Sequence, residues 1–175
     1  MEKRDFLKTT GIAALGAILP LSCAEKLVDN GRLRTAHIGV GNMGAADLAD
    51  ISSHEKVDVV ALCDVDTNAL VEAKKLHPNA QVFKDYRVML KEMKNEIDAV
   101  IVSTPDHTHA PASMLAMEMN KPVYCQKPLT HHVVEARAMN ALAKKKNLVT
   151  QMGIQVHSFY DYKLATLLIQ SGIIG

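Results

Sequence analysis

The sequence predicts an α/β domain built on a doubly wound parallel sheet. Three observations carry that reading. From residue 34 onward, short runs rich in β-branched residues alternate with longer segments of helical spacing. A glycine-rich turn, HIGVGNMG, joins the first such run to the first helical segment. The chain is 48% apolar and 22% charged, which supplies a packed core and argues against disorder.

The elements follow in order. Thr35 to Val40 reads as a strand and Met43 to about Ser53 as a helix. Val57 to Cys63 (VDVVALC) is a β-branched run and is expected to be a strand buried on both faces. Thr67 to Leu76 is helical and is ended by Pro78. Gln81 to Phe83 is a short strand, and Tyr86 to Met93 carries apolar residues at helical spacing. Ala99 to Val102 (AVIV) is the next strand, with a helix over about Ala110 to Met119. In that helix Met114, Met117 and Met119 are expected to pack against the sheet rather than to form a partner groove. Pro122 to Cys125 is a strand, Val133 to Lys146 a helix, Leu148 to Met152 a final strand and Tyr160 to Gln170 a last helix. Strands and helices alternating in this way imply right-handed crossovers between parallel strands.

Several function classes are disfavoured by composition. A net charge of +1 gives no electrostatic reason for a nucleic-acid partner. Aromatic residues are 4% of the chain with no Trp, so stacking platforms for bases are scarce. Cys23, Cys63 and Cys125 have no paired spacing, which argues against a disulfide framework and a CxxC zinc site. His107, His109, His131 and His132 lack a carboxylate or cysteine at ligand spacing, so no metal is expected.

Residues 1–23 read as an export signal. A basic head precedes an apolar run from about Gly11 to Leu21, too short for a transmembrane helix, which needs ~20 apolar residues. Lys3-Arg4-Asp5-Phe6-Leu7-Lys8 resembles the twin-arginine motif, with Lys3 in place of the first arginine. Lysine keeps the charge but not the planar guanidinium. Leu21-Ser22-Cys23-Ala24 resembles a lipoprotein box with Cys23 as the acylated residue. These features predict export through the twin-arginine translocase, to the periplasm or to a lipid anchor facing it. Residues 24–33 are polar and read as a linker.

Gly39-Val40-Gly41-Asn42-Met43-Gly44 is a GxGxxG that ends a strand and opens a helix, the context in which the motif binds a dinucleotide. Gly39 permits the tight turn, Gly41 lets the backbone approach the pyrophosphate, and Gly44 lets helix and strand pack closely. Amides at the helix start, around Asn42 and Met43, face the phosphates. Asp64 ends the second strand about 20 residues later, the spacing of the ribose-binding acid. Its carboxylate, with Asp66 nearby, repels a 2′-phosphate, so the expected cofactor is NAD rather than NADP. The implied fold is a Rossmann sheet ordered 3-2-1-4-5-6, in which Cys63 and Cys125 end non-neighbouring strands and should stay reduced.

Ser103-Thr104-Pro105-Asp106-His107-Thr108-His109 follows the fourth strand, and Gln126-Lys127-Pro128 follows the fifth. With GxGxxG and Asp64, and with KDYRVMLKE and KPLTHHVVEARAM around them, they resemble the Gfo/Idh/MocA family of oxidoreductases from about Arg34 to Gly175. The resemblance implies that Thr104 and Pro105 line the nicotinamide ribose, that His109 matches the family's cofactor-site histidine, and that Lys127 is the active-site lysine. It also implies a cis Lys127-Pro128 bond. The family has Asn where Asp106 stands and Glu where Gln126 stands. Losing that glutamate removes a negative neighbour of the lysine.

The family is two-domain. The resemblance implies a dinucleotide domain over residues 34–152, with residues 153–175 beginning a second α/β domain that shapes the sugar pocket and makes the homo-oligomer. The expectation is a fragment, inactive alone, of an NAD-dependent oxidoreductase acting on a sugar or cyclitol. An NAD-dependent glycosidase using transient oxidation and a non-catalytic nucleotide-binding module are the alternatives.

Overall fold

The computed structural model describes residues 31–173. The expected export signal, Cys23 and most of the expected linker lie outside the described residues. Six parallel strands form one sheet in the order β3-β2-β1-β4-β5-β6. They are β1 Leu33–Ile38, β2 Val57–Cys63, β3 Gln81–Phe83, β4 Ala99–Val102, β5 Val123–Gln126 and β6 Thr150–Gly153. The helices are α1 Met43–Ser52, α2 Thr67–Leu76, α3 Tyr86–Glu92, α4 Asp106–Glu118, α5 Val133–Lys146 and α6 Tyr160–Gln170. A 3-10 turn, Gln155–Ser158, precedes α6.

Side chains alternate across each strand, so the sheet carries two cores. On one face Leu62 of β2 packs with Leu48 of α1 and with Leu70 and Ala73 of α2. On the other, Ile38, Val100, Val102 and Cys125 pack against Met89 of α3, Met117 of α4 and Met139 of α5. Met117 is fully buried, and Met114 and Met119 pack against this core. Local signals set the helix ends: the Asp66 and Asp85 carboxylates cap α2 and α3 by accepting from Asn68 N and Arg87 N.

Three expectations are corrected. β2 is buried over only its last three residues, because Asp58 in its first half turns to solvent and pairs with Arg32 at 2.8 Å. Helix α4 begins at Asp106, four residues before the expected start, with Pro111 inside it. Strands β1 and β6 are shifted by one to two residues from the apolar runs.

Cys63 and Cys125 are buried, unpaired thiols. Two strands separate their own, so their backbones lie roughly 14 Å apart at the usual strand spacing. Burial first, then Asp64 and Asp85, pushes the Cys63 thiol up to about 12. No helix among the described residues is long and apolar enough to cross a membrane.

Candidate functional site

The carboxyl ends of β1, β2 and β4 open onto a cleft of about 580 Å³. This is where strand order reverses, the usual ligand position in an open α/β sheet. Gly39, Gly41, Asn42, Met43, Asp64, Thr104 and Pro105 all line it. Val65, Ala69, Lys84, Tyr86, His107 and Thr108 line it too. The sequence had not singled out Lys84 or Tyr86 for this site. Both follow the short strand β3, and that position is the signal that could have found them.

The glycine turn is shaped by close approach. Gly39 has φ +85°, and a Cβ there would meet Ser103 O at 2.6 Å. Gly44 lies outside the cleft lining; a Cβ on it would overlap the Gly39 carbonyl oxygen and come within 2.7 Å of its carbon. Only hydrogen at both positions lets the first helix sit this close to the end of β1. At Gly41 the situation differs. A Cβ would touch only Ala69 Cβ at 3.4 Å and Asp64 Oδ2 at 4.0 Å, and it would point along the cleft. Asn42 precedes the helix at φ 46°, a conformation asparagine tolerates better than most residues. The amides of Gly41, Asn42 and Met43 have no hydrogen-bond partner among the described residues. A helix start with free amides is an anion site, and a dinucleotide pyrophosphate fits it.

Asp64 sits opposite these amides. Its Oδ2 accepts from Val40 N at 2.8 Å and its Oδ1 from Asp66 N at 2.9 Å. The two bonds fix the carboxylate while leaving lone pairs for a ribose diol. Asp66 also lines the cleft, where a second carboxylate opposes a 2′-phosphate.

The Thr104 loop lines the cleft, and one histidine ties it to the Lys127-Pro128 turn, which like Lys127 itself lies outside the cleft lining. His109 is buried rather than cleft-lining, with Nε2 at 2.7 Å from Thr104 O and Nδ1 at 2.6 Å from Pro128 O. Both partners are carbonyl oxygens, which accept from a ring N–H. His109 thereby joins the Thr104 turn on the cleft wall to the Lys127-Pro128 turn after β5. The Lys127-Pro128 bond is cis, as the resemblance implies. Lys127 is exposed, and its ammonium has no hydrogen-bond or ion-pair partner among the described residues.

Asp106 stands at the start of α4, with its carboxylate 3.5 Å from His131 Nδ1 and 4.0 Å from His107 Nδ1. The hydrogen bond with His131 holds the Asp106 carboxyl below its ordinary range. Among the described residues no group of three or more His, Cys, Asp or Glu is placed to hold a metal ion.

Residues 33–154 match the model of an oxidoreductase family with an NAD-binding Rossmann fold, Gfo/Idh/MocA. An inositol 2-dehydrogenase from Rhodococcus erythropolis is 33% identical over 157 residues, covering 84% of this chain and 42% of its own. A glycosyl hydrolase family 109 protein from Shewanella pealeana is 26% identical over 200 residues, covering 100% of this chain and 44% of its own. The crystal structure of myo-inositol 2-dehydrogenase from Lactobacillus plantarum superposes with a TM-score of 0.75 at 28% identity, over 82% of this chain and 42% of that one. The scyllo-inositol dehydrogenase of Lactobacillus casei, solved with bound NAD(H) and scyllo-inositol, shares the fold with a TM-score of 0.74 at 24% identity, over 82% of this chain and 42% of that one. The chain thus spans less than half the length of these relatives.

Proposed function

The chain belongs to the Gfo/Idh/MocA family of oxidoreductases and carries its NAD-binding domain, and from that membership we propose that the full protein oxidises a hydroxyl of a cyclitol or sugar. NAD, when bound, accepts hydride from the carbon being oxidised. The chain's own residues orient it: the free amides of Gly41, Asn42 and Met43 take the pyrophosphate, Asp64 takes the adenosine ribose, and Thr104 and Pro105 flank the nicotinamide ribose.

Lys127 supplies the polar chemistry. As the hydroxyl carbon loses hydride, its oxygen must lose a proton, and an ammonium hydrogen-bonded to that oxygen stabilises the charge developing there. The ammonium cannot itself accept the hydroxyl proton, which leaves to water; in the alternative role Lys127 starts as the neutral amine, takes that proton and releases it to water. The observation that carries this reading is the His109 bridge, which pins the Lys127-Pro128 turn to Thr104 on the cleft wall. Lys127 is exposed, its ammonium has no partner among the described residues, and it sits in a turn tied to the cleft wall, so that ammonium is available to a substrate oxygen.

The test is cofactor reduction by the full-length protein with a panel of cyclitols and aldoses. Turnover with at least one hydroxyl substrate is expected, and Lys127→Met should lower kcat by about 10²-fold or more. A Lys127→Met variant that turns over at the wild-type rate removes the lysine from the chemistry. A second reading, an NAD-dependent glycosidase, is favoured by the likeness to the family 109 protein across the whole chain. Aryl glycosides separate the two: release of the leaving group with no net cofactor reduction selects the glycosidase.

The leader supports a further part of the proposal. Residues 1–23 direct a folded, cofactor-loaded protein through the twin-arginine translocase, to the periplasm or to a lipid anchor at Cys23, and residues 153–175 begin the domain through which the protein assembles. Retention in the cytoplasm of a reporter carrying this leader would refute the export route.

A further inference from the structure

Asp47 is the least expected group near the site. It lies on α1, is 3% exposed and has no cation within ion-pairing distance among the described residues. Its side-chain hydrogen-bond partners are all donors. Ser103 Oγ, after β4, donates at 2.6 Å. Gln126 Nε2, at the end of β5, donates to both carboxylate oxygens at 2.9 Å. Gln155 Nε2, after β6, donates at 3.1 Å. One carboxylate therefore joins the ends of three strands to the helix whose first turn receives the pyrophosphate.

The network reaches Lys127 through Gln126. With its amide nitrogen fixed on Asp47, Gln126 turns Oε1 outward, where it accepts from Lys127 N at 3.0 Å. A second observation points to the same residue. A Cβ on Gly153 would come within 2.6 Å of the Tyr124 hydroxyl, 2.9 Å of Gln126 Cδ and 3.0 Å of Gln126 Nε2. The absence of a side chain on the neighbouring strand at Gly153 thus makes room for the Gln126 amide in the pose it takes.

We infer that Asp47 is a positioning residue for Lys127, acting through the Gln126 side chain, and that it is the reason glutamine stands at position 126. Glutamate there would place a second buried carboxylate about 2.9 Å from the first, and such a pair must share a proton or separate. The negative charge expected at position 126 is instead carried by its hydrogen-bond partner. The consequence of Lys127 positioning for turnover rests on the functional reading above; the anchoring itself does not.

The two are separable by experiment in the full-length protein. The variants are Asp47→Asn, Gln126→Glu and the exchange double Asp47→Asn/Gln126→Glu, which returns one carboxylate and one amide in swapped positions. Amide hydrogen exchange at Lys127 reads the anchor directly. Either single change should accelerate it roughly tenfold or more, and the double should return it to within about threefold of wild type. The Kd for NAD should stay within about twofold in all three, because Asp47 and Gln126 do not line the cleft. With a hydroxyl substrate, kcat should fall in the single variants and recover in the double, with KM for NAD unchanged. Lys127 exchange in Asp47→Asn equal to wild type, or a double no better than its parents, overturns the inference. Where Lys127→Met itself loses turnover, so does a kcat that holds in Asp47→Asn while only the unfolding midpoint drops. Lys127→Met retaining full turnover would instead strike the catalytic reading of the lysine and leave the anchor standing.

Discussion

Acid should destabilise this domain through one buried histidine. His37 lies in the central strand β1, fully buried, with Nε2 3.2 Å from Thr35 Oγ1 and no partner for Nδ1 among the described residues. Burial first, then the neighbouring His77, lowers it from 6.5 to about 3. A histidine depressed in the folded state takes up its proton preferentially when unfolded. Its contribution is therefore fully present above 6.5 and is lost as pH falls through the window down to about 3. Each pH unit in that window costs about 1.4 kcal/mol, so two units cost about 3 kcal/mol. His77, also lowered by burial, adds in the same direction. Asp85 is held low by Arg87 and Asp106 by His131, while at Asp98 burial is outweighed by Arg34, so these groups lose their contributions only at lower pH. Urea unfolding at about pH 7 and about pH 4.5 should show a midpoint drop of roughly 1–2.5 M. His37→Phe or His37→Gln, which removes the titration, should flatten most of it. A variant with the same pH slope as wild type would refute the assignment to His37.

Three further outcomes follow from the geometry. Gly41→Ala should leave stability within about 0.5 kcal/mol, because its Cβ meets ordinary contacts, yet weaken NAD binding at least about tenfold by calorimetry. Gly153→Ala should lower stability by about 1–3 kcal/mol in chemical unfolding, through the Tyr124 and Gln126 contacts. Cys63 and Cys125 should resist a thiol reagent at about pH 8 until the protein unfolds, as read residue by residue in alkylation mass spectra, since burial raises both thiols.

Most of the sheet could be read from the chain because its signals are local. AVIV, VDVVALC and the glycine turn each announce an element within a few residues. Helix α4 could not be delimited that way. Pro111 looks like the first turn of a helix, yet α4 begins five residues before it, at Asp106. The glycines and Asp64 of the cleft were legible because phosphate and ribose binding fix their spacing. Lys84 and Tyr86 were not, since no motif marks them. Asp47 was invisible for a different reason: its partners Ser103, Gln126 and Gln155 lie 56, 79 and 108 residues away. Only the parallel order of β4, β5 and β6 brings the three together beneath α1.

The most direct test is a pair of titrations of the full-length protein, NAD against NADP, repeated in Asp64→Asn. Saturable heat with NAD is predicted, with NADP at least about tenfold weaker and the gap narrowed in the variant. A flat trace with NAD from folded protein, or equal affinity for both nucleotides in the wild type, would contradict a cleft organised around the amides of Gly41 to Met43 and the carboxylate of Asp64.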